Sequence, residues 1–189
     1  YVTKSTNALL ALTNNILDLA TIDAGAMKLE LGPVDVAKAI ELAAEGIQDR
    51  LATDRIRLKV EIAPSIGSFV GDEKRVVQVL YNLLANAVGF SPPDSIVGIS
   101  ARRNERSVVF TVMDSGPGIP ADMKDKVFNW FESRSQGSRH RGAGLGLSLV
   151  RSFVELHGGK VRVDSAVGRG TIVTCNFPTD QAAHRDAAE

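Results

Sequence analysis

The chain has 189 residues, 44% hydrophobic and 23% charged, a composition ordinary for a folded protein and long enough for one good-sized core with a small appendage. Its 22 basic and 22 acidic residues cancel, so no global field points to nucleic acid or an acidic membrane surface, and neither is expected as a partner. The only cysteine, Cys175, excludes an internal disulfide and fits a reducing, cytoplasmic compartment.

No apolar run approaches the roughly 18 residues that suggest a membrane span, so no direct membrane contact is expected. The sequence starts without methionine, in what reads as mid-helix, and a fragment of a longer protein is expected. Leu9, Leu12, Ile16 and Leu19 follow at spacings of three, four and three, which is an a/d seam. The segment reads either as a helix packed on its own domain or as one helix of a dimerising bundle, with Gly25 as C-cap. After an extended piece over 27–31, Gly32-Pro33-Val34-Asp35 is a break, and Asp35 caps a helix expected to run to about Leu51. Ile56–Ile62 alternates apolar and polar residues and reads as a half-buried strand. A long apolar helix begins at Asp72, and strands are expected over 96–102 and 107–113. A glycine turn, a helix over 121–131, a polar Arg/Ser/Gly loop and a helix ending near His157 come next. Strands over 160–164 and 170–177 complete the core, and a polar tail follows. Helices followed by paired strands imply an α+β two-layer sandwich, a mainly antiparallel sheet packed against helices.

Three short motifs carry chemistry. The first is the glycine loop of RHRGAGLGLSLV, 139–150, with Gly142, Gly144 and Gly146. No Lys-Ser/Thr pair follows Gly146, and position 147, where a dinucleotide fingerprint needs glycine, is Leu. What remains is a glycine loop feeding a helix N-terminus, which favours an anion but serves equally as a structural helix entry. The second is Asp114-Ser115-Gly116-Pro117-Gly118 after a strand. It is either a tight turn or an acceptor-only carboxylate suited to an adenine amino group. The third is the pair Asn82 and Asn86, four apart on one helical face among apolar residues. The amides are satisfied by neighbouring backbone, or they wall a pocket whose hard oxygens suit Mg²⁺.

In this order and with these separations, NLLANA, DSGPGI, FNWF, GAGLGLSLV and GRGT resemble the asparagine box, first glycine box, phenylalanine box, second glycine box and final glycine motif of sensor histidine kinases. These belong to the GHKL superfamily, shared with gyrase, heat-shock chaperone and mismatch-repair ATPases. NILDLATIDAGAMKLE is similar to the second helix of their dimerisation bundle, and FESRSQGSRHRGAGLGLSLVRSFVELHGG, 131–159, looks similar to alphaproteobacterial kinases of the cell-cycle group. The resemblance implies a Bergerat-type fold with residues 1–31 as part of the bundle, 32–178 as the ATP-binding domain and 179–189 as a tail.

Carried over residue by residue, it implies ATP and Mg²⁺ as cofactors. Asp114 would bind the adenine amino group, with Gly116 and Gly118 shaping the base pocket and Thr171 nearby. Asn86 would ligate Mg²⁺. Gly142, Gly144, Leu145 and Gly146 would surround the phosphates. Residues 121–141 would form a lid anchored by Phe128 and Phe131 and made basic by Arg134, Arg139, His140 and Arg141. Asn82 stands where related hydrolases place a glutamate, and a neutral amide is a poor base. That favours phosphoryl transfer over hydrolysis, with Asn82 and Arg139 as catalytic candidates. The resemblance further implies a homodimer through the N-terminal bundle and a response-regulator receiver domain as partner.

Two departures bear on mechanism. Many family members have a lysine three residues after the second asparagine, and here that position is Gly89. Losing a cation weakens phosphate stabilisation, which raises a pseudokinase scaffold as the rival reading. Arg139 or Arg141 would have to compensate. No phospho-acceptor segment is present either: His140 lies in the lid, His157 reads as a helix C-cap, and His184 lies in the tail.

Overall fold

A computed structural model describes residues 2–124, 126–128 and 145–179, with side chains described from Thr13 onward. It opens on α1, Val2–Asp23. That helix ends in a Schellman motif: Gly25, at φ +64°, donates to Ile22 and Ala26 donates to Thr21, as expected of a glycine C-cap. Strand β1, Gly32–Asp35, precedes α2, Val36–Glu45, whose N-cap Asp35 accepts from the Lys38 N–H.

The single helix expected to Leu51 is broken. α2 stops and α3, Gln48–Asp54, restarts after Gly46-Ile47. At the break the backbone lies against Tyr81, where a Cβ on Gly46 would stand 3.0 Å from the ring. Strand β2, Arg57–Ile62, is an edge strand and mostly exposed, less buried than its alternation implied. The four-residue β3, Ser68–Gly71, was not anticipated. It pairs antiparallel with β1 in a separate two-stranded sheet, and only Phe69 and Gly71 of it are buried, too short an alternation to read from sequence.

Helix α4, Glu73–Phe90, is the spine of the domain. Strands β4, Ile96–Arg103, and β5, Ser107–Asp114, form a hairpin. Residues 121–131 were expected to be helical, but the described part forms two 3₁₀ turns, Ala121–Met123 and Lys126–Phe128. No residue in either turn is buried, so no apolar face stabilises a longer helix there. Helix α5, Gly146–Leu156, and strands β6, Lys160–Ser165, and β7, Thr171–Pro178, follow.

The main sheet runs β2-β4-β5-β7-β6, antiparallel except where β2 joins β4. Its inner face buries Val97, Ile99, Phe110, Val112, Cys175 and Phe177 against Val79, Leu80, Leu83, Leu149 and Phe153 of the helices. Burial pushes the Cys175 thiol up to about 12, so it acts as a small apolar group. This is the expected α+β two-layer sandwich.

Helix α1 packs on the same domain at its C-terminal end. Leu19 is 2% exposed, whereas Ile16, on the same seam, is 45% exposed. Arg75 of α4 fixes the contact: its Nη1 donates to Asp18 at 2.8 Å, and its guanidinium lies 4.9 Å from the Phe153 ring centre. No described helix is long and apolar enough to cross a membrane.

Candidate nucleotide site

The site is organised along α4, and its N-terminus is fixed first. Asp72 caps the helix through Oδ1 to the Arg75 N–H at 3.1 Å, while its Oδ2 accepts from the Glu30 N–H at 3.0 Å. The Asp72 N–H donates to His157 Nε2 at 3.0 Å, and His157 Nδ1 lies 2.6 Å from the Phe153 carbonyl. A ring nitrogen that accepts leaves the other to donate, so the imidazole is neutral with its proton on Nδ1. Burial holds its pKa below the usual histidine value, against the Phe153 hydrogen bond and the Asp72 charge. His157 stands at the C-cap of α5, as expected, and ties α5 to α4.

At the other end of α4, the strand β5 delivers Asp114 to a corner built from backbone. Its Oδ1 accepts from the N–H groups of Gly116 at 2.8 Å and Thr171 at 3.1 Å, while no described residue donates to Oδ2. The cross-strand register places Thr171 opposite Asp114. Two glycines are forced by close approach. A Cβ on Gly118, at φ +74°, would collide with the Ala166 carbonyl, and one on Gly170, at φ +77°, with the Asp114 carbonyl. Gly116 lies against the end of α4, where a Cβ would stand 3.0 Å from the Phe90 carbonyl oxygen. Burial raises the Asp114 pKa, and the two backbone N–H bonds oppose that shift.

Asn82 and Asn86 share one face of α4, about 12 Å and 6 Å of helix rise before Phe90. The first residue of α5 meets them: a Cβ on Gly146 would stand 3.4 Å from Asn86 Nδ2 and 3.8 Å from Asn82 Oδ1. Asn82 Nδ2 is buried and has no hydrogen-bond partner among the described residues. Whereas aspartates cap α2 and α4, the α5 N-cap is Leu145, which is buried and offers no side-chain cap. A helix entrance without a side-chain cap, where the first-turn N–H groups have no partner within the helix, and a buried amide without a described partner beside it make a polar cradle inside an apolar domain. Gly89, one further turn along the Asn82–Asn86 stripe, is buried.

The structure thus brings Asp114, Gly116, Gly118 and Thr171 together at one end of α4, and Asn82, Asn86, Leu145 and Gly146 along its side. Phe128 lies over α5, with the Arg151 guanidinium 5.9 Å from its ring centre. Arg134, Arg139, His140, Arg141, Gly142, Gly144, Phe131 and His184 lie outside the described residues. No cluster of His, Cys, Asp or Glu able to hold a metal occurs among the described residues, so Asn86 offers an amide oxygen only.

One residue escaped sequence reasoning. Ser165 is buried at the end of β6, with its Oγ 2.9 Å from the Ile119 N–H, 2.7 Å from the Gly170 carbonyl and 3.0 Å from Thr171 Oγ1. Its signal was a polar residue in the apolar phase of the strand, in step with Val161 and Val163.

Residues 71–181 match the family model described as histidine kinase-, DNA gyrase B-, and HSP90-like ATPase. Sensor protein DivL of Caulobacter vibrioides is 38% identical over 168 residues, covering 89% of this chain and 21% of DivL. The structure of full-length ShkA in complex with AMPPNP superposes with a TM-score of 0.82 at 31% identity, covering 96% of this chain and 38% of that one. Acinetobacter baumannii AdeS has a TM-score of 0.79 at 21% identity, covering 95% of this chain and 82% of AdeS, and speaks to the fold alone. The chain spans 21% of DivL and 38% of Escherichia coli BaeS, well under half of either curated relative.

Proposed function

From the premise that the chain belongs to the histidine kinase-, DNA gyrase B- and HSP90-like ATPase family, in its sensor histidine kinase branch, we propose that residues 32–178 bind Mg-ATP. In the intact protein they would donate its γ-phosphoryl to an acceptor on a dimerisation helix, for relay to a receiver-domain aspartate. Residues 1–31 would be part of that bundle, and the protein would act as a homodimer in the cytoplasm.

The observation that carries this reading is the pairing of a carboxylate oxygen and a buried amide nitrogen that have no partner among the described residues. Asp114 Oδ2 at the end of α4 and Asn82 Nδ2 along its side offer an acceptor for a base amine and a donor for a phosphate oxygen. The residues fit the nucleotide. Glycines let backbone close in at the base end, and the uncapped α5 entrance favours anionic charge. Asn86 would supply an oxygen to Mg²⁺, with water and phosphate oxygens completing the shell. Mg²⁺ supplies neutralisation of phosphate charge. Asn82, a neutral amide, orients rather than deprotonates, which supports transfer over hydrolysis. Arg134 and Arg139 would add lid charge. The AMPPNP bound by ShkA, 31% identical, supports the same ligand class.

Titration with a fluorescent ATP analogue, with and without Mg²⁺, tests this. Binding is expected, tightened by Mg²⁺ and lost in Asp114→Asn. Micromolar binding indifferent to that substitution would refute the base assignment. A second reading, a pseudokinase scaffold, is favoured by Gly89, where the stripe carries no cation. Absence of binding at millimolar ATP selects it.

A further inference from the structure

Ser165 lies outside the glycine and asparagine motifs, yet three hydrogen bonds converge on its hydroxyl. A serine hydroxyl has one proton and two lone pairs. The Gly170 carbonyl, 2.7 Å away, only accepts, so the Ser165 proton is spent there. The Ile119 N–H, 2.9 Å away, only donates and takes one lone pair. The remaining lone pair faces Thr171 Oγ1 at 3.0 Å, so Thr171 is the donor in that contact.

This fixes the polarity of Thr171. With its proton turned to Ser165, Thr171 Oγ1 retains lone pairs only. Its backbone N–H is meanwhile committed to Asp114 Oδ1. The neighbouring groups of the site are therefore the Asp114 carboxylate and an acceptor-only hydroxyl. We propose that Ser165 is a specificity-determining positioning residue, which makes the base end acceptor-only by holding the Thr171 proton away from it. The site then takes a nucleobase edge carrying an exocyclic amine and rejects one carrying a carbonyl in the same place. A carbonyl would face two acceptors without a donor, and unpaired buried polar groups discriminate strongly.

The inference rests on the nucleotide-binding reading, and its test separates the two. ATP and inosine triphosphate, which differ by an amine against a carbonyl and by an acceptor against an N–H at the adjacent ring nitrogen, are titrated against the full chain. Purine riboside triphosphate, which lacks the amine but keeps the ring acceptor, is the control for the second difference. The wild type is expected to prefer ATP. In Ser165→Ala the Thr171 proton is released to face the base, and the ATP preference narrows by about tenfold. Thr171→Val removes the acceptor and narrows the preference also, so the proposal stays testable if Ser165→Ala fails to fold. In the Thr171→Val background, Ser165→Ala produces no further narrowing. Ser165→Thr, which keeps a hydroxyl, restores the wild-type ratio. Equal weakening of both nucleotides, with the ratio unchanged in Ser165→Ala or in Thr171→Val, gives Ser165 a purely structural role and overturns the proposal. If the wild type binds neither nucleotide, the nucleotide-binding reading itself fails.

Discussion

At Asp114, two backbone N–H groups close on one carboxylate oxygen, Ser165 stitches the two flanking turns together, and glycines leave no spare room. At Asn82, eight residues before the end of the same helix, a buried amide nitrogen has no partner among the described residues, and the helix entrance beside it has no side-chain cap. The base end is assembled by the fold itself. The side of α4 instead holds unsatisfied polarity in place, at a cost of about 1–3 kcal/mol for a buried polar group without a partner. Under the proposed nucleotide-binding function, the rigid end would choose the ligand and the unsatisfied end would reward the charge that ligand carries.

The sharpest break of this contrast is Asp114→Asn. Nucleotide affinity is expected to fall at least about a hundredfold, since a hydrogen bond to a charged group is lost in a site with no substitute. Stability behaves oppositely. Burial raises the folded-state pKa of Asp114, so the folded protein holds the proton longer than the unfolded chain. As pH rises from the ordinary carboxylate value through the folded one, stability is lost. Asparagine keeps the acceptor for Gly116 and Thr171 without that charge. The variant's nucleotide-free melting temperature at neutral pH should equal or exceed that of the wild type, and the gap should close on acidification. Wild-type affinity for ATP should weaken over the same acid window, beginning above the ordinary carboxylate range.

The rigid end can also be broken sterically. Gly170→Ala places a Cβ on the Asp114 carbonyl at a φ of +77°, and a loss upward of about 2 kcal/mol is expected in chemical denaturation. Gly168, at φ +78° with open space around it, is the control: alanine there is strained but not blocked, and costs less.

These two ends were unequally legible in the sequence. Asp114, Gly116 and Gly118 stood out because a carboxylate at a strand end beside glycines is a local pattern. Ser165 did not, because its partners at 119, 170 and 171 meet only through the β6–β7 register and the turn after β5. Helices and strands with long apolar periodicity were placed within a residue or two. The Gly46-Ile47 break lies against Tyr81 of α4, 35 residues away, a contact no local pattern announces, and β3 is too short to show a period. The helix expected at 121–131 resolves, in its described part, into two short 3₁₀ turns whose apolar residues Met123, Val127 and Phe128 are only half-buried, too little burial to hold a regular helix.

The unsatisfied end is tested by Asn82→Leu, of similar size but without polar atoms. Removing an orphaned buried amide from an apolar helix is expected to stabilise the nucleotide-free protein by about 1 kcal/mol, while ATP affinity falls about tenfold. Such an opposition of stability and binding marks a group kept for its ligand. If stability fell instead, the amide would have a structural partner, and the contrast with Asp114 would disappear.

Gly89→Lys has the smallest expected effect and bears most directly on whether the unsatisfied end is complete. Position 89 continues the Asn82–Asn86 stripe but is buried, so a lysine must lay its methylenes along the helix and carry its ammonium out toward the phosphate side. Gly89 lies in the last turn of α4, so replacing it recovers at most the roughly 0.8–1 kcal/mol propensity penalty of a helix-interior glycine, which offsets part of that crowding. One added cation in a partly solvated groove should tighten ATP about fivefold at low salt. The gain should shrink as ionic strength rises and the Debye length falls below about 10 Å. Adenosine, which has no phosphates, is the discriminating ligand. Its affinity should not change if the lysine acts at the phosphate end, whereas a parallel change would place the effect in the packing of α4 and leave the base end as the only selective part of the site.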